Sequence, residues 1–207
     1  MRIIKMSEVL TLKARAENYN STFPKYSSQA PLVATERWLY GIWMIGNNYQ
    51  NKNKYYGEYP PTYLKRMYSL FPEIQKDNIL HVFSGSLSED ENGDRFDINP
   101  NVNPTYLGDV KEIKTLVKRQ YSLILCDPPY SDEDALHYGV PMINRNICLK
   151  DLSKITKVQG FIGWLDQVEP MYKKEILQLV GTIGIIRSTN HRVRMVFIWQ
   201  KISEQEW

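Results

Sequence analysis

Tyr121-Ser122-Leu123-Ile124-Leu125-Cys126, running straight into Asp127-Pro128-Pro129-Tyr130, is the stretch whose reading decides the fold. Its first six residues form a near-continuous apolar run of strand length, the pattern of a strand buried on both faces of a parallel sheet. Two prolines then stop it, because proline cannot donate to a strand ladder and restricts the residue before it. A strand ending this way sets Asp127 at the carboxyl edge of the sheet, where open α/β folds collect ligands. The stiff loop holds an Asp127 oxygen and the Pro128 carbonyl side by side, two acceptors matched to the two hydrogens of an exocyclic amino group. Tyr130 adds a ring on which a planar base can stack. The plain structural alternative is a turn in which Asp127 only caps a backbone N–H.

Outward from this strand, the chain from Asn78 alternates short apolar strands with helical or loop segments, the mark of an α/β fold with a mostly parallel sheet. Upstream, Ile79–Phe83 reads as a first strand stopped by Ser84-Gly85-Ser86, Arg95–Ile98 as a second and Tyr106–Gly108 as a third. Val110–Arg119 repeats Val110, Ile113, Leu116 and Val117 at helical spacing. Downstream, Asn146–Ile155 reads as a helix, Phe161–Leu165 as a strand, and Met171–Val180 as a helix after Pro170. Thr182–Ile186 and Val193–Lys201, joined by the tight turn Ser188-Thr189-Asn190-His191, must be antiparallel. The expected architecture is a mostly parallel sheet with one reversed terminal strand.

Residues 1–77 differ in kind. They are rich in Tyr, Trp and Asn, with a helix expected over Glu36–Ile45 behind Thr35 and another over Pro61–Leu70. No linker separates them from the rest, so they are expected to form a helical extension packed on one core spanning residues 78–207. Trp38, Tyr40, Trp43 and Tyr63, at helical spacing, are expected in the core.

Composition narrows the classes. The 207 residues are 43% hydrophobic and 24% charged, a globular balance suited to one domain. No run approaches the roughly 18 apolar residues of a membrane span, and Lys5 and Glu8 interrupt the opening stretch, so a soluble, cytoplasmic protein is expected. Twenty-six basic against 23 acidic residues give a net charge of +3, mild enough that only a local basic patch would mark a nucleic-acid partner. Cys126 and Cys148 have no CxxC spacing and the three His no ligand spacing, so no metal site is expected.

Asp127-Pro128-Pro129-Tyr130, together with Phe83-Ser84-Gly85-Ser86-Leu87 after the first strand, resembles the DPPY-type amino-methyltransferases, and within them small stand-alone DNA methylase-like proteins of phage and prophage origin. The likeness runs from about Tyr56 through Gln200. It implies a Rossmann-like class I methyltransferase sheet, S-adenosylmethionine as cofactor, and methylation of adenine N6 or cytosine N4 in DNA. By the same resemblance Asp127 and the Pro128 carbonyl hold the target amine, Pro129 stiffens the loop, and Tyr130 stacks on the flipped-out base. The family's FxGxG motif keeps Phe83 and Gly85 here but has Leu87 in place of its second Gly, and the acidic stretch Ser88–Asp94 is a poor helix former. Ser84 and Ser86 are placed to donate to the cofactor's carboxylate. Asp97 falls where such folds use an acid for the ribose hydroxyls, and Asp109 matches the acid that meets the adenine amine.

For the substrate side, Trp164 and Asp166 end the fifth strand at the same edge, as a pocket wall or equally as a buried Trp and a helix cap. Arg187, Asn190, His191, Arg192 and Arg194 concentrate basic charge at the last turn, fit for phosphate or base edges, or a solvated hairpin tip. Lys52, Lys54 and Arg66 form a second candidate basic surface. His137 and Tyr138 lie in the segment 131–144, read as a mobile-site loop or as a helix begun by Asp132-Glu133-Asp134. The expected function is a base amino-methyltransferase on DNA first and RNA second, with an RNA adenine N6 or guanine N2 enzyme, or an inactive nucleic-acid binder of the same fold, as alternatives. With so short a chain, sequence recognition would come from a homodimer or a specificity-conferring partner.

Overall fold

The computed structural model describes residues 9–23, 31–46, 59–187, 193–205 and 207, with Arg187 by its backbone alone. The core begins with β3 (Ile79–Val82), β4 (Asp94–Asp97) and β5 (Tyr106–Leu107), followed by the short helix α3 (Ile113–Leu116) and β6 (Tyr121–Cys126). Helices α4 (Asp132–His137) and α5 (Arg145–Lys154) lead into β7 (Thr156–Asp166), β8 (Leu177–Arg187) and β9 (Val193–Lys201). Ahead of them lie α1 (Leu12–Thr22), β1 (Val33–Ala34), β2 (Leu39–Ile45) and α2 (Tyr63–Leu70).

The nine strands of the described residues join one sheet in the order β1-β2-β8-β9-β7-β6-β3-β4-β5. Counted from β3, this is 3-2-1-4-5-7-6, the doubly wound Rossmann-like order with a reversed strand inserted. Strands β3 to β7 are parallel to one another, and β9 runs antiparallel to both β7 and β8. The reversed strand, last in the chain, thus lies inside the sheet. Its tight link to β8 forces that reversal, while its apolar run Val196-Phe197-Ile198-Trp199 is buried throughout.

The alternation along β6 divides its side chains between two cores. Leu123 and Leu125 pack with Tyr19 of α1, Met67 and Leu70 of α2, and Trp43 of β2. Ile124 and Cys126 pack with Ile113 of α3, Leu149 and Leu152 of α5, and Trp164 of β7. Gly163 lets α2 approach the sheet, since a Cβ there would lie 2.7 Å from Met67 Cε and 2.9 Å from Leu125 Cδ2. Gly163→Val should therefore cost roughly 1–3 kcal/mol of stability by overpacking, seen as a lower melting temperature.

Of two expected helices, one is a strand and the other a turn that runs into a strand. Over 39–45, Leu39, Trp43 and Ile45 are buried while Tyr40, Ile42 and Met44 are exposed, a period of two set by parallel pairing with β8. Thr35, expected to cap a helix, turns the β1–β2 hairpin, accepting from the Arg37 and Trp38 amides at Oγ1. Tyr40, expected in the core, is 45% exposed as a result. Downstream, Leu177–Leu179 pair with Trp199–Lys201, so the apolar residues from Leu177 on extend β8 instead of closing a helix over Met171–Val180. The helix expected from Val110 shortens to a 3₁₀ turn and the four residues of α3. Of the second basic surface, Arg66 is 2% exposed, its guanidinium bonded to the Tyr19 hydroxyl and to Thr62 Oγ1, and Lys52 and Lys54 lie outside the described residues. No described helix is long and apolar enough to cross a membrane.

Candidate active site at the carboxyl edge of the sheet

Strands β3 and β6 are neighbours, with Val82 paired to Cys126, so Phe83 and Asp127 leave the sheet side by side. From β3 the chain winds towards β4 and β5, and from β6 towards β7. The crevice above these two strand ends is the topological switch point of the fold, the place where such sheets bind ligands.

Phe83 adopts φ +61° and Gly85 φ +52°. A bulky residue in the left-handed region is strained, and such strain persists where the surrounding structure enforces it. Asp97 supplies part of that enforcement: Oδ2 accepts from the Gly85 amide at 2.8 Å, and Oδ1 from the Asn99 amide at 2.9 Å. Buried Arg95 supplies more, donating to the carbonyls of Leu87 and Val102 at 3.1 Å and of Asn103 at 2.8 Å. No helix follows this loop, in keeping with its acidic, turn-rich sequence, and Arg95 holds it instead. Asp109 caps the next 3₁₀ turn, accepting from the Lys111 amide at 3.0 Å. Phe83, Asp97, Ile98, Asp109, Val110 and Pro129 line a narrow, mostly apolar cleft.

Beside it, the Tyr130 hydroxyl donates to Asp127 Oδ1. Neither Asp127 Oδ2 nor the Pro128 carbonyl accepts a hydrogen bond from a described residue. Loss of solvent around the Asp127 carboxyl pushes its pKa up to about 7, against the opposing pull of the Tyr130 hydroxyl and the Arg194 charge. Arg194, in β9, lies over the Tyr130 ring with Cζ 4.4 Å from the centroid, and its buried Nε has no partner among the described residues. Of the arginines expected to meet phosphate, Arg194 is therefore set against the acceptor loop itself.

Trp164 and Asp166 are both sealed from solvent. Asp166 Oδ2 accepts from Arg145 Nε at 2.7 Å and from Trp164 Nε1 at 3.2 Å, while Oδ1 accepts from the Gln167 amide at 2.6 Å. As arranged, neither presents a surface to a substrate, because their polar atoms are committed to an internal anchor. Arg145, which the sequence reading did not single out, extends that anchor by donating from Nη2 to the Tyr130 carbonyl at 2.8 Å.

On the other side of the Phe83–Ser86 loop is an open cleft between Pro60–Lys65 and Ser84–Ser88. Ser84 lines it at 3% exposure with an Oγ that has no partner among the described residues. Thr62, at the start of α2, is held at φ +66° and its side chain does not cap the helix. The Tyr59 hydroxyl donates to the Leu125 carbonyl at 3.1 Å, tying this segment to the end of β6. His81, beneath, is neutral: burial lowers its pKa to about 4, and Nε2 donates to the Asn92 carbonyl at 2.7 Å.

The structure thus brings together Phe83, Ser84, Gly85, Ser86, Asp97, Asp109, Asp127, Pro128, Pro129, Tyr130 and Arg194 at one edge. Asn190, His191, Arg192 and the side chain of Arg187 lie outside what is described. The segment after the motif resolves into α4, capped by Ser131, with His137 and Tyr138 exposed at its end.

No family model matches this sequence, and no curated protein does so. Among solved structures, TrmN from Thermus thermophilus aligns over 70% of this chain and 49% of its own, at 12% identity and TM-score 0.49. This chain therefore spans about half the length of that protein. An rRNA methylase from Streptococcus thermophilus aligns over 63% of this chain and 90% of its own, at 9% identity and TM-score 0.40. SMU.1697c from Streptococcus mutans, solved in complex with SAH, aligns over 62% and 89%, at 11% identity and TM-score 0.42.

Proposed function

We propose that this chain is an S-adenosylmethionine-dependent methyltransferase acting on an exocyclic amino nitrogen of a nucleic-acid base, with N6 of adenine in DNA as the first target and N4 of cytosine the next. The observation that carries the reading is the acceptor pair at the switch point: Asp127 Oδ2 and the Pro128 carbonyl, uncommitted, next to an aromatic ring.

The residues around the Phe83–Ser86 loop fit the cofactor. Ser84 Oγ, buried and without a partner among the described residues, suits the polar amino-acid end. Asp97 uses one lone pair of each oxygen on a backbone amide, which leaves capacity for two ribose hydroxyls. The apolar cleft between Ile98, Val110 and Pro129 suits a flat adenine, with Asp109 at its rim. Bound there, the cofactor supplies a methyl group on a sulfonium, an electrophile open to in-line attack by an amino nitrogen.

The chain's own contribution is positioning and electrostatics. Asp127 Oδ2 and the Pro128 carbonyl each accept one amino hydrogen, turning the nitrogen lone pair away from the loop. As positive charge develops on nitrogen, both acceptors bind it more strongly, so they favour the transition state over the ground state. A carboxylate with a pKa near 7 is also a better base than an ordinary Asp, and Asp127 Oδ2 is the atom to receive the proton that the methylated nitrogen loses. Tyr130 holds the other oxygen and presents its ring to the base. Phosphates flanking the base fall to Arg194 and the basic turn, and sequence recognition to a second copy or a separate partner.

Methyl transfer from labelled cofactor to unmodified DNA and RNA, followed as a function of pH, tests this mechanism. The rate should fall about tenfold per pH unit below the Asp127 pKa of about 7 and level off above it. A profile flat from pH 5 to 8 would exclude the carboxylate from the chemistry. Label in RNA alone would move the substrate to the RNA class, and tight cofactor binding without transfer would leave a binding protein of this fold.

A further inference from the structure

We propose that Arg145 is a positioning residue that holds Tyr130, and through its hydroxyl the Asp127 carboxylate, in the geometry the amino group needs. The proposal rests on the amino-group reading of the site. Arg145 is the first residue of α5, and its guanidinium lies between two elements that share no backbone ladder at this point. On one side Nε donates to Asp166 Oδ2 at 2.7 Å and Nη2 reaches Oδ1 at 3.3 Å, a two-point grip that fixes the plane of the guanidinium. On the other side the same Nη2 donates to the Tyr130 carbonyl at 2.8 Å.

Asp166 is fitted to be the fixed end of this chain of contacts. It is fully buried at the end of β7, and Trp164 Nε1 and the Gln167 amide hold it from two further directions. Tyr130 is the free end, because it follows two prolines that give its loop no ladder bonds and precedes the short helix α4. A loop without ladder bonds needs a side-chain anchor to keep a reacting group within the few tenths of an ångström that transfer chemistry demands. Arg145 reaches the backbone of Tyr130, so the anchor acts on the residue whose hydroxyl engages Asp127 Oδ1 and whose ring meets Arg194.

A structural ion pair and a positioning residue differ in what restores them. Arg145→Met alone strands a buried Asp166 carboxylate and is expected to destabilise the fold. Arg145→Met combined with Asp166→Asn removes both charges, and its melting temperature is expected to return most of the way to wild type. The contact to the Tyr130 carbonyl is still missing in that double variant. Its Tyr130 ζ-carbon resonance, assigned with Tyr130→Phe, is therefore expected to move towards that of a free tyrosine, and kcat for methyl transfer to drop at least tenfold with the cofactor dissociation constant unchanged. Arg145→Lys, which can reach only one partner at a time, should fall between. A double variant that regains stability with the wild-type Tyr130 resonance would overturn the proposal and leave Arg145 as a structural ion pair. The resonance reads the free protein, so a moved signal in a chain that methylates no base would uphold the positioning and sink the functional reading instead.

Discussion

Asp127→Ala is expected to bind S-adenosylmethionine within a few-fold of wild type and to lose methyl transfer by two or more orders of magnitude, about 3 kcal/mol of transition-state stabilisation. The effect is large because Asp127 Oδ2 is one of two acceptors for the amine and the atom proposed to take its proton. Stability should move the other way. The folded pKa of Asp127 lies above its usual value, so at low pH folded and unfolded chains are both protonated, and between about pH 4 and 7 the folded state holds the extra proton. Stability therefore declines as pH rises through that window. At pH 8 Asp127→Asn should be more stable than wild type, by on the order of 1–2 kcal/mol once residual solvent screening is allowed for. Denaturant titrations at pH 5 and 8 measure this directly. A variant that is inactive and also less stable at pH 8 would make Asp127 a structural cap.

Asp97→Ala carries the second large effect, this time on cofactor capture. Its carboxylate fixes the Gly85 and Asn99 amides and keeps capacity for the ribose hydroxyls. Removing charged acceptors costs roughly 1.5–3 kcal/mol per hydrogen bond, so affinity should fall at least tenfold by calorimetry. Asp97→Asn, which still accepts from one amide, should lose less. Unchanged affinity in Asp97→Ala would move the ribose away from this strand end. An affinity loss accompanied by global unfolding would show Asp97 acting on the loop alone.

The parts of the fold legible in the sequence are those fixed by local pattern. Tyr121–Cys126 is apolar but for Ser122 and of strand length, the pattern of a central strand, and the prolines after it placed Asp127 at the edge. The strand ends bearing Gly85, Asp97 and Asp109 followed from the same alternation. Leu39–Ile45 misled because its apolar residues satisfy a helical period as well as a strand period, and the deciding partner, β8, lies about 140 residues away. Leu177–Val180 misled for the same reason, since β9 fixes its conformation. In the site, the contacts that escaped are long-range and carried by residues common on any surface. Arg145 falls just ahead of the helix expected over Asn146–Ile155, and only the fold brings it to Asp166 and Tyr130. Arg194 was legible as basic charge near the edge, and its contact with the Tyr130 ring was not. Arg66 looked like surface and is core, because three aromatic rings and a hydroxyl enclose its guanidinium.

The central claim is that Asp127 and the Pro128 carbonyl present an exocyclic amino nitrogen for methylation. The most direct test incubates the protein with isotopically methyl-labelled S-adenosylmethionine and unmodified DNA and RNA, digests the product to nucleosides and locates the label by mass spectrometry. The expected result is label on an exocyclic nitrogen, first N6 of adenine in DNA, and its absence with Asp127→Ala. Label on a ring nitrogen, a carbon or a ribose oxygen, or equal labelling by Asp127→Ala, would contradict it.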